Sequence, residues 1–250
     1  MYSLNFNTID LSAYGLTVQR IDWPMTHALD PIQLQDKSVA YNSHKPPLVI
    51  NAQIAIAAAT TVILRTYIDS IRGVLNTDGD SELIFDVMND RYWLSRFESM
   101  KGSLISPQSW QGDISFLCLD PLAYSTSLTT VAPVDVDANP FTLPVTTLGT
   151  GRISPVYSLT ANDVLAAVTI TLENDETGDT LSWVGSLAAT DDLEIDVEHW
   201  TVKKTGVIDM ATVTGEFPQL LPNQANDIIV TAFHSGTHNT IGLTYRNRYV

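Results

Sequence analysis

The chain has a single cysteine in 250 residues, few basic residues, and no apolar run of membrane-spanning length free of polar interruption. Each shortage removes a class of protein. One cysteine forms no internal disulfide, so the fold rests on packing and hydrogen bonds. Cys118 sits within the apolar run Phe116 to Leu119, which reads as a buried, inert thiol. With 13 Lys and Arg against 28 Asp and Glu, the formal charge is −15. That balance excludes a protein that grips nucleic acid, because phosphate binding needs clustered cations to release counterions. The most apolar stretch, Leu48 to Leu64, is broken by Asn51, Gln53 and threonines and bracketed by Pro46-Pro47 and Arg65, too polar to span a bilayer. The first residues, Met1 to Asn7, lack the basic residues and apolar core of a signal peptide.

Catalytic signatures are missing as well. There is no Gly-x-Ser-x-Gly elbow, no phosphate loop, no Gly-x-Gly-x-x-Gly and no Cys-x-x-Cys pair. The expectation is a protein that is not an enzyme, with no catalytic residues, cofactor or metal. His234 and His238 have the spacing of helical zinc ligands, but Ser235-Gly236 between them indicates a turn. Asp192, Glu194, Asp196 and Glu198 fall on one face of an expected strand, which reads as a solvated surface before a cation or glycosidase site.

What is present is a globular, acidic chain long enough for two cores: 44% of its residues are hydrophobic. Up to residue 126 there are 13 acids against 8 bases, net −5; beyond it there are 15 against 5, net −10. Leu48, Ile50, Ala52, Ile54 and Ile56 alternate as in a half-buried strand. From Thr60 the period changes: Ile63, Leu64, Tyr67, Ile71, Val74 and Leu75 form a helical stripe, capped by Thr60 or Thr61 and stopped at Asn76 to Gly79. Short β-type runs follow at Leu83 to Phe85, Tyr92 to Leu94, Leu104-Ile105 and Ile114 to Leu119. Residues 129–152, rich in Pro, Asp, Asn and Thr, read as a junction that can carry strands of its own. Beyond it, Val168 to Leu172 and Thr180 to Val184 flank a turn as a hairpin, and later short strands indicate an antiparallel sandwich or jelly roll. The expected fold is mainly β. A barrel-like domain with one helix (1–128) and a junction (129–152) precede an antiparallel sandwich (153–250).

Two segments carry a resemblance. Ser81 to Trp93 is an acidic-aromatic strand closing on Asp90-Arg91-Tyr92-Trp93, and Ile114 to Ser125 is an apolar strand closing on Asp120-Pro121 with Tyr124 soon after. Their order and separation resemble the N-terminal domain of the distal tail proteins of long-tailed phages. The opening Phe6 and Tyr14-Gly15-Leu16, the hairpin near Gly178, and Phe217 to Asn223 before the last strands extend that likeness over nearly the whole chain. Asn7-Thr8 replaces the family's frequent Asn-Gly, and Pro222-Asn223 stands where Pro-Gly is common.

The resemblance implies a ring-forming, split-barrel-like first domain and a galectin-like second domain. It implies a structural virion protein at the distal end of the tail, assembled in the host cytoplasm. Its hexameric hub ring would join the tail tube protein to the tail hub or tip protein. DNA would pass through the lumen without specific binding, and receptor-binding or side-fibre proteins would be held outside, with no membrane insertion. Arg91, Tyr92 and Trp93 are the candidate intersubunit contacts, with an ion pair from Arg91 to Asp86 or Asp90 as the plainer reading of that arginine. The alternative is a lectin-like tail-tip protein that recognises host-surface glycan. Trp183 and Trp200 are the candidate sugar or partner contacts, although Trp23, Trp110, Trp183 and Trp200 can each be core, interface or platform residues that the sequence does not rank. An aromatic facing solvent in a polar concave groove would favour the lectin.

Overall fold

The computed structural model describes residues 2–23, 31–33, 39–41, 47–233 and 239–250, with backbone alone at 31–33 and 39–41. His234 and His238 lie outside the described residues. The chain divides into two compact units, Met1–Thr126 and Ser127–Val250.

The first unit contains β1 (Leu4–Phe6), β2 (Ile9–Asp10), β3 (Leu16–Asp22), β4 (Pro31–Gln33), β5 (Val39–Tyr41), β6 (Leu48–Ala57), α1 (Thr61–Leu75), β7 (Ser81–Phe85), β8 (Arg91–Ser106), β9 (Ser109–Cys118) and β10 (Ala123–Ser125). Its sheet runs β2-β1-β7-β8-β9-β6-β3, all antiparallel, with β10 also paired to β8 and β4 pairing separately with β5. The alternation in β6 is met: Ile50, Ala52, Ile54 and Ile56 are buried. Thr60 caps α1, its hydroxyl accepting from the Ile63 amide at 3.2 Å. The buried stripe is Leu64, Ile71 and Leu75; Ile63 is exposed, one step off the face that packs on the sheet.

Three local devices shape this unit. Asn7 and Thr8, at φ 50° and 65°, form the two-residue turn between Phe6 and Ile9. Both left-handed positions are those of a type I′ hairpin, so the replacement of Asn-Gly keeps the turn. In the long β8–β9 hairpin Gly102 faces Gly112 with the Trp110 ring against both, leaving no room for a Cβ at either. Cys118 is buried, and desolvation, with Asp120 and Asp80 nearby, pushes its thiol up to about 12.

The second unit is a sandwich of two antiparallel sheets. One runs β11 (Thr129–Asp135), β21 (Thr240–Tyr245), β13 (Val156–Thr160), β16 (Asp192–Asp196), β17 (Thr201–Lys204) and β18 (Val207–Ile208). The other runs β12 (Phe141–Thr146), β20 (Ala225–Thr231), β14 (Leu165–Asn174), β15 (Thr180–Leu187) and β19 (Val213–Gly215). Between them Tyr157, Leu172, Trp183, Ile195, Ile228, Val230 and Phe233 join one buried cluster. The segment expected to link the domains thus supplies an edge strand to each sheet, and the sequence hairpin appears as β14–β15, in register from Val168↔Gly185 to Glu173↔Thr180. Among the described residues no helix is long and apolar enough to cross a membrane.

Candidate functional site

The two segments singled out in the sequence meet in the first unit. β10 pairs with the start of β8, setting Tyr124 opposite Tyr92 and Ala123 opposite Trp93. Tyr92 and Tyr124 stack, with centroids 5.5 Å apart and planes at 21°. The Tyr124 hydroxyl donates to the Asp120 carboxylate, which also accepts from the Leu122 amide at 3.1 Å. Asp120-Pro121 follows the end of β9 at Cys118, and the Asp120 carboxylate anchors the aromatic that follows. Trp93 packs on Trp23 at 4.9 Å and lies 6.4 Å from Phe85. Tyr92 and Trp93 are both buried, spent inside the unit. Arg91 stays half-exposed, its Nε 3.2 Å from Asp90, one of the two partners considered for it.

A second feature lies between α1 and the β8–β9 hairpin. Thr61, Leu64, Arg65, Ile68, Leu104 and Trp110 border a groove of about 340 Å³. Val62 at the helix start and Leu104 and Ile105 near the hairpin tip expose 73%, 62% and 64% of their surface.

In the second unit the two candidate tryptophans have opposite fates. Trp183 is 1% exposed and donates through Nε1 to Asp209 at 3.1 Å, a core anchor with its polar atom satisfied. Trp200 is 69% exposed, in the turn Val197–Trp200 between β16 and β17, at φ 54°. It stacks on Phe217, centroids 6.2 Å apart, beside a mouth of about 400 Å³ that Arg152, Asp179, Glu216 and Gln219 also line.

That mouth is held from behind by a buried amide network. Asn174 donates to the Gln219 carbonyl at 2.5 Å and to Asn226 Oδ1 at 3.2 Å. Asn226 Oδ1 accepts from the Leu221 amide at 2.7 Å, and its Nδ2 donates back to the Leu221 carbonyl at 3.1 Å. The Tyr157 hydroxyl donates to the Pro218 carbonyl at 3.1 Å, and burial, then Asp179, pushes its pKa upward. These bonds fix Phe217 to Gln224, where Asn223 at φ 53° takes the left-handed position a glycine would fill. Nothing in the sequence announced the pairing of Asn174 with Asn226, 52 positions apart.

The acidic row is engaged residue by residue. Asp192 accepts from Thr160 at 2.6 Å, Glu194 pairs with Lys203 at 2.7 Å, Asp196 with His199 at 2.7 Å, and Glu198 with Arg248. Among the described residues no group of three His, Cys, Asp or Glu is placed to hold a metal ion.

Residues 148–249 match the family described as siphovirus-type tail component, C-terminal domain. The whole chain superposes on the crystal structure of the Dit protein of phage SPP1, described as a paradigm of the hub adsorption apparatus in phages infecting Gram-positive bacteria. All of both chains is covered, at 16% identity and a TM-score of 0.79. A chain of the phage P2 baseplate in its activated conformation with calcium aligns over 92% of this chain and 98% of its own, at 8% identity and a TM-score of 0.48. No curated protein sequence matches. The resemblance to distal tail proteins thus stands on a tail-component domain in the second unit and a shared, mainly β fold over the full length.

Proposed function

We propose that this chain is the distal tail protein of a siphovirus-type phage, a structural component whose copies close into a hexameric hub ring at the distal end of the tail. The observation that carries this reading is the siphovirus tail-component domain over residues 148–249. The full-length fold shared with the SPP1 Dit protein supports it. The first unit builds the ring below the last ring of the tail tube protein and above the tail hub or tip protein. The sandwiches face outward and hold receptor-binding or side-fibre proteins. Assembly takes place in the host cytoplasm, and the role is load transmission rather than catalysis.

Ring closure needs a head-to-tail interface, two different patches on each copy. Exposed Leu104, on the groove between α1 and the hairpin, supplies an apolar contact of the kind that marks interfaces. Arg91 is a rim contact, while Tyr92 and Trp93 act from inside by fixing the strand that carries it. The net charge of −15 suits a conduit through which DNA slides without sticking.

Imaging of the assembled particle and native mass measurement of the purified chain test this. Six copies in one ring, lost on Leu104→Asp with the fold intact, is the expected result. A monomer in the particle, or a lumen belted by exposed Arg and Lys, contradicts the reading.

A further inference from the structure

We propose that the mouth beside Trp200 is a subsite for a neutral saccharide of about one or two pyranose rings, a size set by a volume of about 400 Å³ near the lower end for ligand pockets. This goes beyond the hub role and does not depend on it. Trp200 carries two costs that a glycine at the same place in the turn would not. At φ 54° it occupies a backbone region where a bulky side chain is strained and glycine or asparagine is at ease. With 69% of its surface in water it recovers little of that cost by burial. Strain at an exposed large aromatic marks a residue kept for contact with something else.

The surroundings identify the partner. Phe217 stacks on the indole at 27° and fixes its plane. Arg152, Asp179, Glu216 and Gln219 line the same mouth, and none of their side chains has a hydrogen bond or ion pair within the described residues. The backbone behind them is rigid, because Gln219 and Pro218 are held by Asn174 and Tyr157. A flat aromatic face beside unspent donors and acceptors fits a sugar ring: its C–H face lies on the indole, its hydroxyls donate to Asp179 and Glu216 and accept from Arg152 and Gln219. Two carboxylates to one guanidinium disfavour an anionic ligand. An apolar peptide would desolvate all four groups without pairing them.

The experiment uses the full chain. It is screened on an array of neutral hexose and N-acetylhexosamine oligosaccharides and titrated with glucose, galactose and N-acetylglucosamine, followed by tryptophan emission. A saccharide-dependent change in emission is expected for the parent, and the affinity read by the array and by titration calorimetry should weaken about tenfold or more in Trp200→Gly, which lacks the reporting indole, and in Asp179→Asn. Trp200→Gly should melt no lower than the parent, which a tryptophan retained for folding would not allow. Failure of every saccharide in both formats, or equal binding by Trp200→Gly, overturns the proposal. So does protection of Trp200 from N-bromosuccinimide in intact particles but not in free protein, since that assigns the mouth to a neighbouring tail protein.

Discussion

Asn226→Ala tests whether the buried amide network governs the stability of the sandwich. The Asn226 side chain is fully buried and takes part in four hydrogen bonds, with the Leu221 amide at 2.7 Å, the Leu221 carbonyl at 3.1 Å, Asn174 at 3.2 Å and the Gln224 carbonyl at 3.3 Å. A net hydrogen bond contributes about 1 kcal/mol, and a buried donor left without a partner costs about 1–3 kcal/mol. The substitution strands the Leu221 amide and part of the Asn174 amide, so the loss should be about 3–4 kcal/mol. For a unit of this size each kcal/mol shifts Tm by about 4 °C, so the sandwich should melt roughly 12–16 °C lower. Scanning calorimetry reads this directly, with urea unfolding as the independent measure of ΔG. A loss below about 1 kcal/mol would refute the reasoning, because it would mean that water replaces the amide at no cost.

Thr8→Gly should stabilise the chain by about 0.5–1 kcal/mol by relieving a β-branched residue at φ 65°, measured by urea unfolding; a loss would show that Thr8 contributes more than its turn position. Gly112→Ala should destabilise the first unit by about 2 kcal/mol or more, since its Cβ meets the Trp110 ring and the facing strand; an unchanged Tm contradicts this. Cys118, raised to about 12 from an ordinary 9, should resist iodoacetamide at pH 8.5 until the chain unfolds. Because its folded pKa is the higher one, the stability linked to it is complete below pH 9 and lost as pH climbs from 9 toward 12, where urea midpoints should fall. A fragment ending at Thr126 should fold alone, shown by a cooperative melt; a molten fragment would show that the second unit completes it.

The parts legible in the sequence are those where one face is buried and the other wet. Strand β6, helix α1 and the β14–β15 hairpin each show a clean period, and each forms where that period puts it. The sequence offers Trp183 as a sugar or partner contact, whereas it is buried beside Leu181 on the inward face of β15. Tyr92 and Trp93 were not legible, because consecutive buried residues break the alternation where β8 has Tyr124 against one side and Trp23 and Phe85 against the other. Residues 129–152 looked like a linker because Pro133 and Pro144 interrupt them. Both lie in edge strands, where a missing amide donor is tolerated, so composition allowed strands there without placing β11 and β12. The Trp200 mouth depends on residues from four separate stretches of chain, which no local pattern connects.

Strand β21 lies between β11 and β13, so the first and last strands of the sandwich are neighbours, with Thr129 opposite Tyr245. During synthesis the sheet therefore stays open until residues 240–245 leave the ribosome, with β11 waiting unpaired for over a hundred residues. Contacts of such separation form slowly and expose strand edges meanwhile. The first unit is released much earlier and has its own core. The chain is thus a protein whose second half matures as a single late event, and a nonsense mutation within the second unit, after Thr126 and before residue 240, should yield a folded first unit carrying an unfolded, aggregation-prone tail.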